Sequence, residues 1–453
     1  MRKKTTLLGK TYQFGDLKEI MAKANEEKSG DQLAGIAAED AKERMAAKLV
    51  LADLTLAEIR DNPLLPGEKD EVSRIIEEAM NESIYKDIRN WTTAELREYL
   101  LKQSTTDTDI RRLSRGLTSE MIASAAKLMS NMDLIQAAAK VEATTHCNIT
   151  IGQKGVLAGR AQPNHPTDSV AGMKASLYEA LSYGIGDAVI GINPVIDSAD
   201  SVKELLHASK EVMERWSIPT QNCVLAHIKT QMRAIRQGAA ADMVFQSLAG
   251  TEAGNRAFGI DFALLDEADD LIRRSGTAPG PNLWYFETGQ GSELSSEAHH
   301  GIDQLTLEAR CYGLARHYKP FIVNTVVGFI GPEFLYDSKQ VIRAGLEDHF
   351  MGKMHLLPMG VDVCYTNHMK ADQNDMDNLA VLLGAAGVNY IIGVAMADDC
   401  MLNYQSTSYH DIATLRELMG LRPAPDFERW LEKMGIMENG KLTALAGDPT
   451  LFM

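Results

Sequence analysis

From about residue 150 onward, short apolar runs alternate with amphipathic helical patterns, and this alternation constrains the fold more than any other feature of the sequence. Eight runs are predicted to be strands: Val156–Arg160, Asp187–Asn193, Asn222–Ala226, Met243–Gln246, Leu283–Glu287, Pro320–Thr325, Gly360–Cys364 and Tyr390–Val394. Strands that alternate with helices pair in parallel, and eight such units over about 240 residues match a (β/α)8 TIM barrel, an α/β fold. The rival is an open doubly wound sheet, which usually carries a glycine-rich phosphate turn that this sequence lacks.

The segments on either side of the barrel are predicted to be helical. The N-terminal region is acidic, and no strand of any length is expected in it. Glu71–Tyr85 has the spacing of one amphipathic helix, and Thr92 with Glu95 forms a capping-box pattern ahead of another. We therefore expect a helical domain at 1–115, the barrel at 116–405 and a short helical appendage at 406–453.

Charge and composition limit the class of protein. The 453 residues include 46 Lys and Arg against 62 Asp and Glu, a net charge of −16, which argues against a nucleic-acid groove. No apolar stretch is long enough for a transmembrane helix, and the five cysteines are scattered without a C-x-x-C pair. These features predict a soluble cytoplasmic protein with free, mostly buried thiols.

Several well-known sites are absent from the sequence. It contains no P-loop, no G-x-G-x-x-G, no G-x-S-x-G and no H-E-x-x-H, and no predicted strand carries an H-x-H pair. The adjacent His299 and His300 are interpreted as part of a loop or helix start. His227 follows a strand, where it would serve the site or act as a hydrogen-bonded structural residue.

Polar side chains close most of the predicted strands, at the barrel end where chemistry is carried out. They are Arg160, Gln162, Asn193, His227, Gln246, Glu287, Asn324 and Asp362. Any one of them could simply make the rim of the barrel polar. Taken together, they suit a pocket that binds a small polar molecule through its heteroatoms. Two glycine-rich segments, Glu287–Ser292 and Val327–Pro332, would form loops over the mouth that allow close approach of a flat cofactor.

Long ungapped blocks resemble the heavy-chain family of ethanolamine ammonia-lyase. The matching blocks are Arg160–Asn164, Gly184–Pro194, Tyr285–Ser292, Asn324–Glu333 and Gly345–Lys353. The similarity runs from Lys4-Thr5-Thr6 to Ala446-Gly447-Asp448-Pro449 and so covers essentially the whole chain.

This resemblance implies an adenosylcobalamin-dependent radical elimination that converts ethanolamine to acetaldehyde and ammonia. Carried over by position, Arg160 and Asn193 would bind the substrate hydroxyl, and Gln162, Glu287 and Asp362 would hold its amino group. Phe329 would pack beside the reacting carbons. The resemblance also assigns corrinoid contacts to Pro194, Gln246, Ser295 and Met401 and places Ser247 near the adenosyl group.

Two local patterns qualify the resemblance. Ile392 stands where a relative carries methionine, and its branched side chain is expected to fit while changing the shape of the pocket. Glu347-x-His349-x-x-Gly352 is one carboxylate away from the pattern that supplies a histidine to cobalt in some B12 enzymes. We interpret it as structural, so no protein side chain is expected to ligate the metal.

The resemblance further implies a smaller light chain and a heavy-chain trimer of dimers. It leaves open whether the enzyme stands free in the cytoplasm or inside a bacterial microcompartment. Two other interpretations remain at this point: a barrel lyase or aldolase of another kind, and a non-catalytic scaffold. The first would need a Schiff-base lysine or a metal triad at the strand ends, and neither is found in the sequence.

Overall fold

The computed structural model describes residues 1–328, 331, 333–400 and 404–453. The chain begins with an antiparallel hairpin of strands β1 (Lys3–Leu7) and β2 (Lys10–Phe14), so the expectation of a strand-free N-terminal region was wrong. Leu8 and Gly9 both have positive φ, which is the backbone of a tight type I′ turn. The strands are short and rich in Lys and Thr, and for that reason their alternation was missed.

Ten helices follow the hairpin. They are α1 (Leu17–Ala24), α2 (Ser29–Leu33), α3 (Ala41–Asp53), α4 (Leu56–Arg60), α5 (Glu71–Glu78), α6 (Glu82–Ile88), α7 (Thr93–Leu101), α8 (Asp107–Ser114), α9 (Ser119–Lys127) and α10 (Asn131–Ala138). The capping box of Thr92 and Glu95 is confirmed at the start of α7. The single helix predicted over Glu71–Tyr85 is instead two, because the Asn81 side chain accepts from the Ile84 backbone N–H and starts α6 afresh.

A barrel of eight parallel strands forms the centre of the molecule, as predicted. After a small hairpin of β3 (Thr145–His146) and β4 (Thr150–Ile151), its strands are β5 (Ala158–Ala161), β6 (Val189–Ile192), β7 (Asn222–Val224), β8 (Val244–Ser247), β9 (Trp284–Thr288), β10 (Ile322–Val326), β11 (Met359–Asp362) and, beyond the short β12 (Tyr365–Thr366), β13 (Tyr390–Val394). Each of these eight overlaps one predicted strand. The order around the barrel is β7-β6-β5-β13-β11-β10-β9-β8, and all seven ladders are parallel.

The barrel closes between β7 and β8 through side chains, with no backbone ladder joining these two described strands. The Gln231 side-chain NH2 donates to Ala226 O at 2.5 Å and to Phe245 O at 2.7 Å, and its carbonyl accepts from Phe245 N at 2.9 Å. Asn222 and Asp242 exchange two bonds of 3.0 Å, each side-chain oxygen accepting the other residue's backbone N–H. Polar side chains thus replace strand pairing at this seam.

Helices cover the outside of the barrel. They are α11 (Val170–Ser182), α12 (Ala199–Trp216), α13 (Ile228–Arg236), α14 (Glu252–Ala257), α15 (Phe262–Ser275), α16 (Ser292–Ser295), α17 (Gln304–His317), α18 (Ser338–Met354) and α19 (Gln373–Ala385). Helices predicted over Ser201–Trp216, Leu305–His317 and Val341–His349 correspond to α12, α17 and α18. Helices α9 and α10 of the N-terminal region pack directly on α17 and α18, so one hydrophobic core is shared.

The chain after β13 crosses the barrel mouth before it leaves the barrel, and we call its described residues, 395–400 and 404–408, the crossing segment. A three-residue 3-10 turn (Ala395–Ala397) leads to β14 (Asp398–Asp399), and β15 (Tyr404–Gln405) pairs antiparallel with both β14 and β12. Then β16 (Thr407–Ser408) runs parallel to β13. The remaining elements are α20 (Tyr409–Met419), α21 (Pro425–Lys433), β17 (Met437–Glu438), β18 (Lys441–Leu442) and a 3-10 turn (Pro449–Phe452). The division into parts at residues 115 and 405 stays a prediction.

The other expectations about the whole chain concern membranes and thiols. Within the described ranges, no helix combines the length and the apolar character that crossing a bilayer requires. All five cysteines are free; four are buried and Cys400 is exposed.

Candidate active site

Arg160 lies at the end of β5 and is fully buried, with 1% of its surface exposed. Its guanidinium donates to the Tyr285 hydroxyl at 2.7 Å, to the Asn193 Oδ1 at 2.7 Å and to Gly191 O at 3.2 Å. A Cβ at position 191 would lie 2.6 Å from Arg160 Nε, so glycine at that position makes room for the side chain. These bonds use three of the five N–H donors of a guanidinium and fix its plane.

Gln162 and Asn164 follow β5 and share one acceptor. The Gln162 Nε2 donates to Asp399 Oδ2 at 2.5 Å, and the Asn164 Nδ2 donates to the same oxygen at 3.0 Å. Asn164 Oδ1 in turn accepts from the backbone N–H of Asn193 at 2.8 Å. Because its NH2 group is held by Asp399, Gln162 keeps its carbonyl oxygen as an acceptor for a ligand.

Asp362 ends β11 and is buried beneath the segment that crosses the mouth. The Ser406 hydroxyl donates to its Oδ1 at 2.7 Å, and the Tyr404 hydroxyl donates to its Oδ2 at 3.1 Å. Tyr404 also lies 3.4 Å from the Gln162 Nε2, so one phenol touches two of the predicted site residues. The crossing segment therefore orders the side chains below it.

Glu287 is on β9, in register with Asn324 on the neighbouring β10. The Asn324 Nδ2 donates to its Oε2 at 3.3 Å, the one side-chain bond found for this carboxylate among the described residues. Glu287 is half-buried, with its surface in a cavity at the mouth.

Burial sets the protonation of both carboxylates. Desolvation raises the pKa of Glu287 to about 7, against the opposing influence of Arg160, and the nearby Asp362 adds to the rise. Burial likewise raises the pKa of Asp362 to about 6, although the Ser406 hydrogen bond and Arg160 pull it down. Burial alone would lower the pKa of Arg160, but Tyr285 and the two carboxylates outweigh it and raise that pKa.

The cavity has a volume of about 370 Å³ and lies over the ends of β7, β8 and β9. Gln246, Ser247, Glu287 and His227 are among its lining residues. The Gln246 amide is bonded to backbone, accepting from Ile228 N at 3.1 Å and donating to Ser247 O at 3.1 Å. His227 caps α13, where its Nδ1 accepts from Lys229 N and its Nε2 donates to Phe258 O, so it has structural bonds as well as a place at the cavity.

Of the other predicted site residues, some lie further from Arg160 along the rim of the mouth, and two lie outside the described residues. Pro194 is half-buried on the loop after β6, and Ser295 is exposed at the end of α16, where its hydroxyl donates to Ser292 O. Phe329 and Met401 lie outside the described residues. Ile392 is fully buried on β13, in register with Arg160.

His349 lies within the buried part of α18, and no group of three or more His, Cys, Asp or Glu side chains forms a metal site in the ranges that the structure describes. Burial, reinforced by the neighbouring Lys353, lowers the pKa of His349 well below its usual value, so the imidazole is neutral. A neutral, packed side chain agrees with the structural interpretation of the Glu347-x-His349-x-x-Gly352 pattern.

Four contacts of the site were missed by sequence reasoning. Tyr285 lies within a predicted strand, and its hydroxyl gave no signal because tyrosine is common in buried strands. Asp399, Tyr404 and Ser406 lie beyond the last predicted strand, where no periodicity shows that the chain folds back across the mouth. Polar residues clustered after β13 were the available signal for them.

The fold and this site define a class: an enzyme on a TIM barrel, with a buried guanidinium, a buried aspartate and a half-buried glutamate at the carboxyl ends of its strands. The family model described as "Ethanolamine ammonia lyase large subunit (EutB)" matches residues 12–445. The chain belongs to this family.

Individual relatives are similar over their whole length. The large subunit of ethanolamine ammonia-lyase from Escherichia coli (strain K12) is 55% identical over 452 residues, covering 100% of both chains. The protein of the same name from Salmonella typhimurium (strain LT2) is 54% identical over 452 residues, again covering 100% of both.

Proposed function

We propose that this chain is the catalytic large subunit of an ethanolamine ammonia-lyase, which converts ethanolamine to acetaldehyde and ammonia in an adenosylcobalamin-dependent radical reaction. The observation that carries the proposal is the division of charge among Arg160, Glu287 and Asp362, which lie near enough to shift one another's pKa values. Arg160 donates its hydrogen bonds to neutral groups, and Glu287 and Asp362 accept hydrogen bonds from neutral groups. Within the described part of the chain neither sign of charge is paired directly with its opposite, so both are available to a ligand with two polar ends.

Ethanolamine has a hydroxyl at one end and, at neutral pH, an ammonium group at the other, since a simple amine has a pKa of about 10. Transferring that ammonium into a buried pocket costs several kcal/mol unless anions receive it. Glu287 and Asp362 supply the anions, and the carbonyl of Gln162 supplies a neutral acceptor. Arg160 would repel the ammonium, so it takes the hydroxyl end together with the side-chain NH2 of Asn193.

Arg160 also favours the reaction, beyond binding. Once C1 of the substrate carries an unpaired electron, the C1 hydroxyl becomes more acidic and its oxygen gains partial negative charge. A fixed guanidinium donor stabilises that charge more than it stabilises the neutral substrate, which is the condition for catalysis. The carboxylates hold the nitrogen as the C2–N bond breaks, and it leaves as ammonium, so the conversion of protonated ethanolamine to acetaldehyde and ammonium leaves no net proton on the protein.

An exposed apolar rim at the mouth supports the proposed place of the corrinoid coenzyme. A cavity of about 370 Å³ admits a small substrate but not a corrin ring, which would have to lie above the mouth. The rim there is apolar and exposed: Val195 and Ile196 after β6 are 47% and 54% exposed, and Met396 after β13 is 83% exposed. Pro194, Gln246, Ser247 and Ser295 would hold the coenzyme, with Met401 as a further contact carried over by position. When bound, it would supply the radical that removes a hydrogen atom from C1.

The proposal is tested by mixing the purified chain with adenosylcobalamin and ethanolamine, together with a small subunit from a relative. We expect a change in the visible absorption of the coenzyme that depends on ethanolamine, and acetaldehyde that a coupled alcohol dehydrogenase detects. Ethanol, which lacks the ammonium, is the matched control and should give neither. Absence of both signals with ethanolamine, from a protein that binds the coenzyme, would rule the proposal out.

We further propose a smaller partner chain and a trimer-of-dimers core. The coenzyme with its nucleotide tail is too large for the cavity, so a second polypeptide is needed to enclose it. The large subunit alone should bind cobalamin at least tenfold more weakly than the two chains together, measured by equilibrium dialysis. Full activity from this chain, with a single band on a gel, would contradict the partner.

A further inference from the structure

Most of the buried cations that the structure describes are paired with a carboxylate. Among the described residues seven Lys and Arg side chains are buried: Lys28, Lys127, Arg160, Arg310, Arg343, Lys353 and Arg416. Five have a carboxylate oxygen within 4.0 Å, in the pairs Lys28–Glu347, Lys127–Asp303, Arg310–Asp70, Arg343–Glu347 and Arg416–Asp187. The exceptions are Arg160, in the proposed active site, and Lys353. An unpaired buried charge is costly, so an exception points to a ligand.

Lys353 lies at the C-terminal end of α18, at the opposite end of the barrel from the mouth, and is 2% exposed. Its ammonium donates to Gly387 O at 3.2 Å and to Asn389 Oδ1 at 3.5 Å. Both bonds are long, and Asn389 Oδ1 already accepts from Met359 N at 3.0 Å. An ammonium has three donors, so these contacts leave it under-satisfied.

Lys353 also lines a cavity of about 290 Å³. We call it the basal pocket; its lining includes Lys353, Gly387, Asn389, Gly152, Gln153 and Lys154. The Gln153 Oε1 is buried and has no hydrogen-bond partner among the described residues. A side-chain amide offers either an acceptor or two donors, which suits a ligand that carries both hydroxyl and anionic oxygens.

The charges around the basal pocket are also unusual for this chain. Lys140, Lys154 and Lys353 line it against a single carboxylate, Glu142, although the chain has a net charge of −16. Asp107, near enough to influence Lys353, is itself bonded to Arg111 at 2.6 Å. The pocket is therefore a locally positive, concave site.

We propose that the basal pocket binds a small oxyanion, headed by a phosphate or a carboxylate, against the ammonium of Lys353. Such a ligand would join the end of α18 to the loops that precede β5 and β13, and so would brace the floor of the barrel where its first and last strands meet. The site is separate from the proposed active site and does not depend on the proposed reaction.

The test measures thermal unfolding and calorimetric binding of the full chain with phosphate, sulfate or malonate, against chloride at equal ionic strength. We expect a saturable rise in Tm with one of the oxyanions. Stronger binding of phosphate would identify a phosphate head group, and stronger binding of malonate would identify a carboxylate. Lys353→Met should weaken that binding at least tenfold, and Lys154→Glu should weaken it severalfold. Lys69→Met, which removes an exposed lysine elsewhere, should bind as the wild type does.

Two results would overturn the proposal: no saturable effect of any oxyanion, or an equal effect on wild type and Lys353→Met. Without oxyanion, Lys353→Met should unfold at or above the wild-type Tm, because it removes a buried charge that lacks a carboxylate. If that variant fails to fold, Lys154→Glu, whose side chain is exposed, decides: unchanged binding in it counts against the basal pocket.

Discussion

The charged side chains of the site form their hydrogen bonds with neutral groups and not with one another. Arg160 is bonded to a phenol, an amide and a backbone carbonyl, and Asp362 to a serine and a tyrosine hydroxyl. Hydrogen bonds of this kind orient a charged group without cancelling its charge, as a direct ion pair would. The chemistry of the site therefore depends on individual residues, and conservative substitutions should separate their roles.

Glu287→Gln keeps the shape of the side chain and removes one charge. With one anion fewer to receive the ammonium, we expect kcat/KM with ethanolamine to fall by about 10² or more, the scale of a lost acid–base group. Cobalamin affinity, measured separately by dialysis, should change little, and Asp362→Asn should behave alike. Near-native turnover in both variants would show that these carboxylates do not hold the substrate.

Proton binding to the same carboxylates predicts a pH dependence. Above its pKa, about 7 for Glu287 and about 6 for Asp362, each is anionic and can receive the ammonium. As the pH falls through these values, each becomes neutral while the substrate stays cationic, so KM should rise by up to about tenfold per pH unit for each group. Initial rates between pH 5.5 and 8.5 test this. In Glu287→Gln the part of the rise near pH 7 should vanish; its persistence would assign that titration elsewhere.

At the scale of elements, the crossing segment after β13 completes the site that the strands begin. It brings Asp399, Tyr404 and Ser406 over the strand ends, where they bond to Gln162 and Asp362. Its short strands β14 and β15 pair with each other, and β15 also pairs with β12 beyond β11. The segment is therefore anchored to the same part of the barrel that it orders.

Ser406→Ala tests whether this segment tunes Asp362. The Ser406 hydroxyl donates to the ionised carboxylate and lowers its pKa, so removing the hydroxyl should raise that pKa above about 6. The acid side of the pH–KM profile should then move to higher pH, while rates at pH 8.5 stay close to wild type. An unshifted profile would mean that the hydroxyl contributes only to packing. Ser296→Ala, which loses a serine hydroxyl bond to backbone, is the matched control.

The same elements explain what the sequence could and could not predict. Arg160, Asn193, Glu287 and Asp362 were placed by position, because each lies at or directly after an apolar run that had to be a barrel strand. The crossing segment has no such run: its strands are two residues long and its partners are distant in sequence. The N-terminal hairpin was missed for a similar reason, and the break before α6 depends on a single capping residue, Asn81.

At the scale of the whole molecule, buried ion pairs connect the N-terminal helices to the barrel. Lys28 pairs with Glu347 at 2.7 Å and Lys127 with Asp303 at 2.5 Å, and all four side chains are fully buried. Removing one partner of such a pair leaves an uncompensated charge, which costs far more than the pair itself contributes. The two parts should therefore unfold together.

Asp303→Ala tests this coupling. Asp303 both starts α17 and neutralises Lys127, so its loss should lower the free energy of unfolding by about 3–5 kcal/mol. Asp261→Ala is the matched control, since Asp261 starts α15 in the same way but is exposed, and it should cost about 1 kcal/mol. Thermal unfolding of both variants gives the comparison. Equal losses would show that the buried pair adds nothing beyond the helix start.

The seam between β7 and β8 gives the barrel one joint of lower stiffness. A backbone ladder can shift its register only by whole residues, and a shift of one residue reverses the facing of every side chain. Side-chain amides such as that of Gln231 can rotate and lengthen their bonds continuously, and each bond lost costs only about 0.5–1.5 kcal/mol. The barrel can therefore widen at this one joint while the other seven strand contacts stay in place, and the cavity over β7, β8 and β9 lies directly above it. Any change in the width of this cavity should therefore be concentrated at the β7–β8 seam.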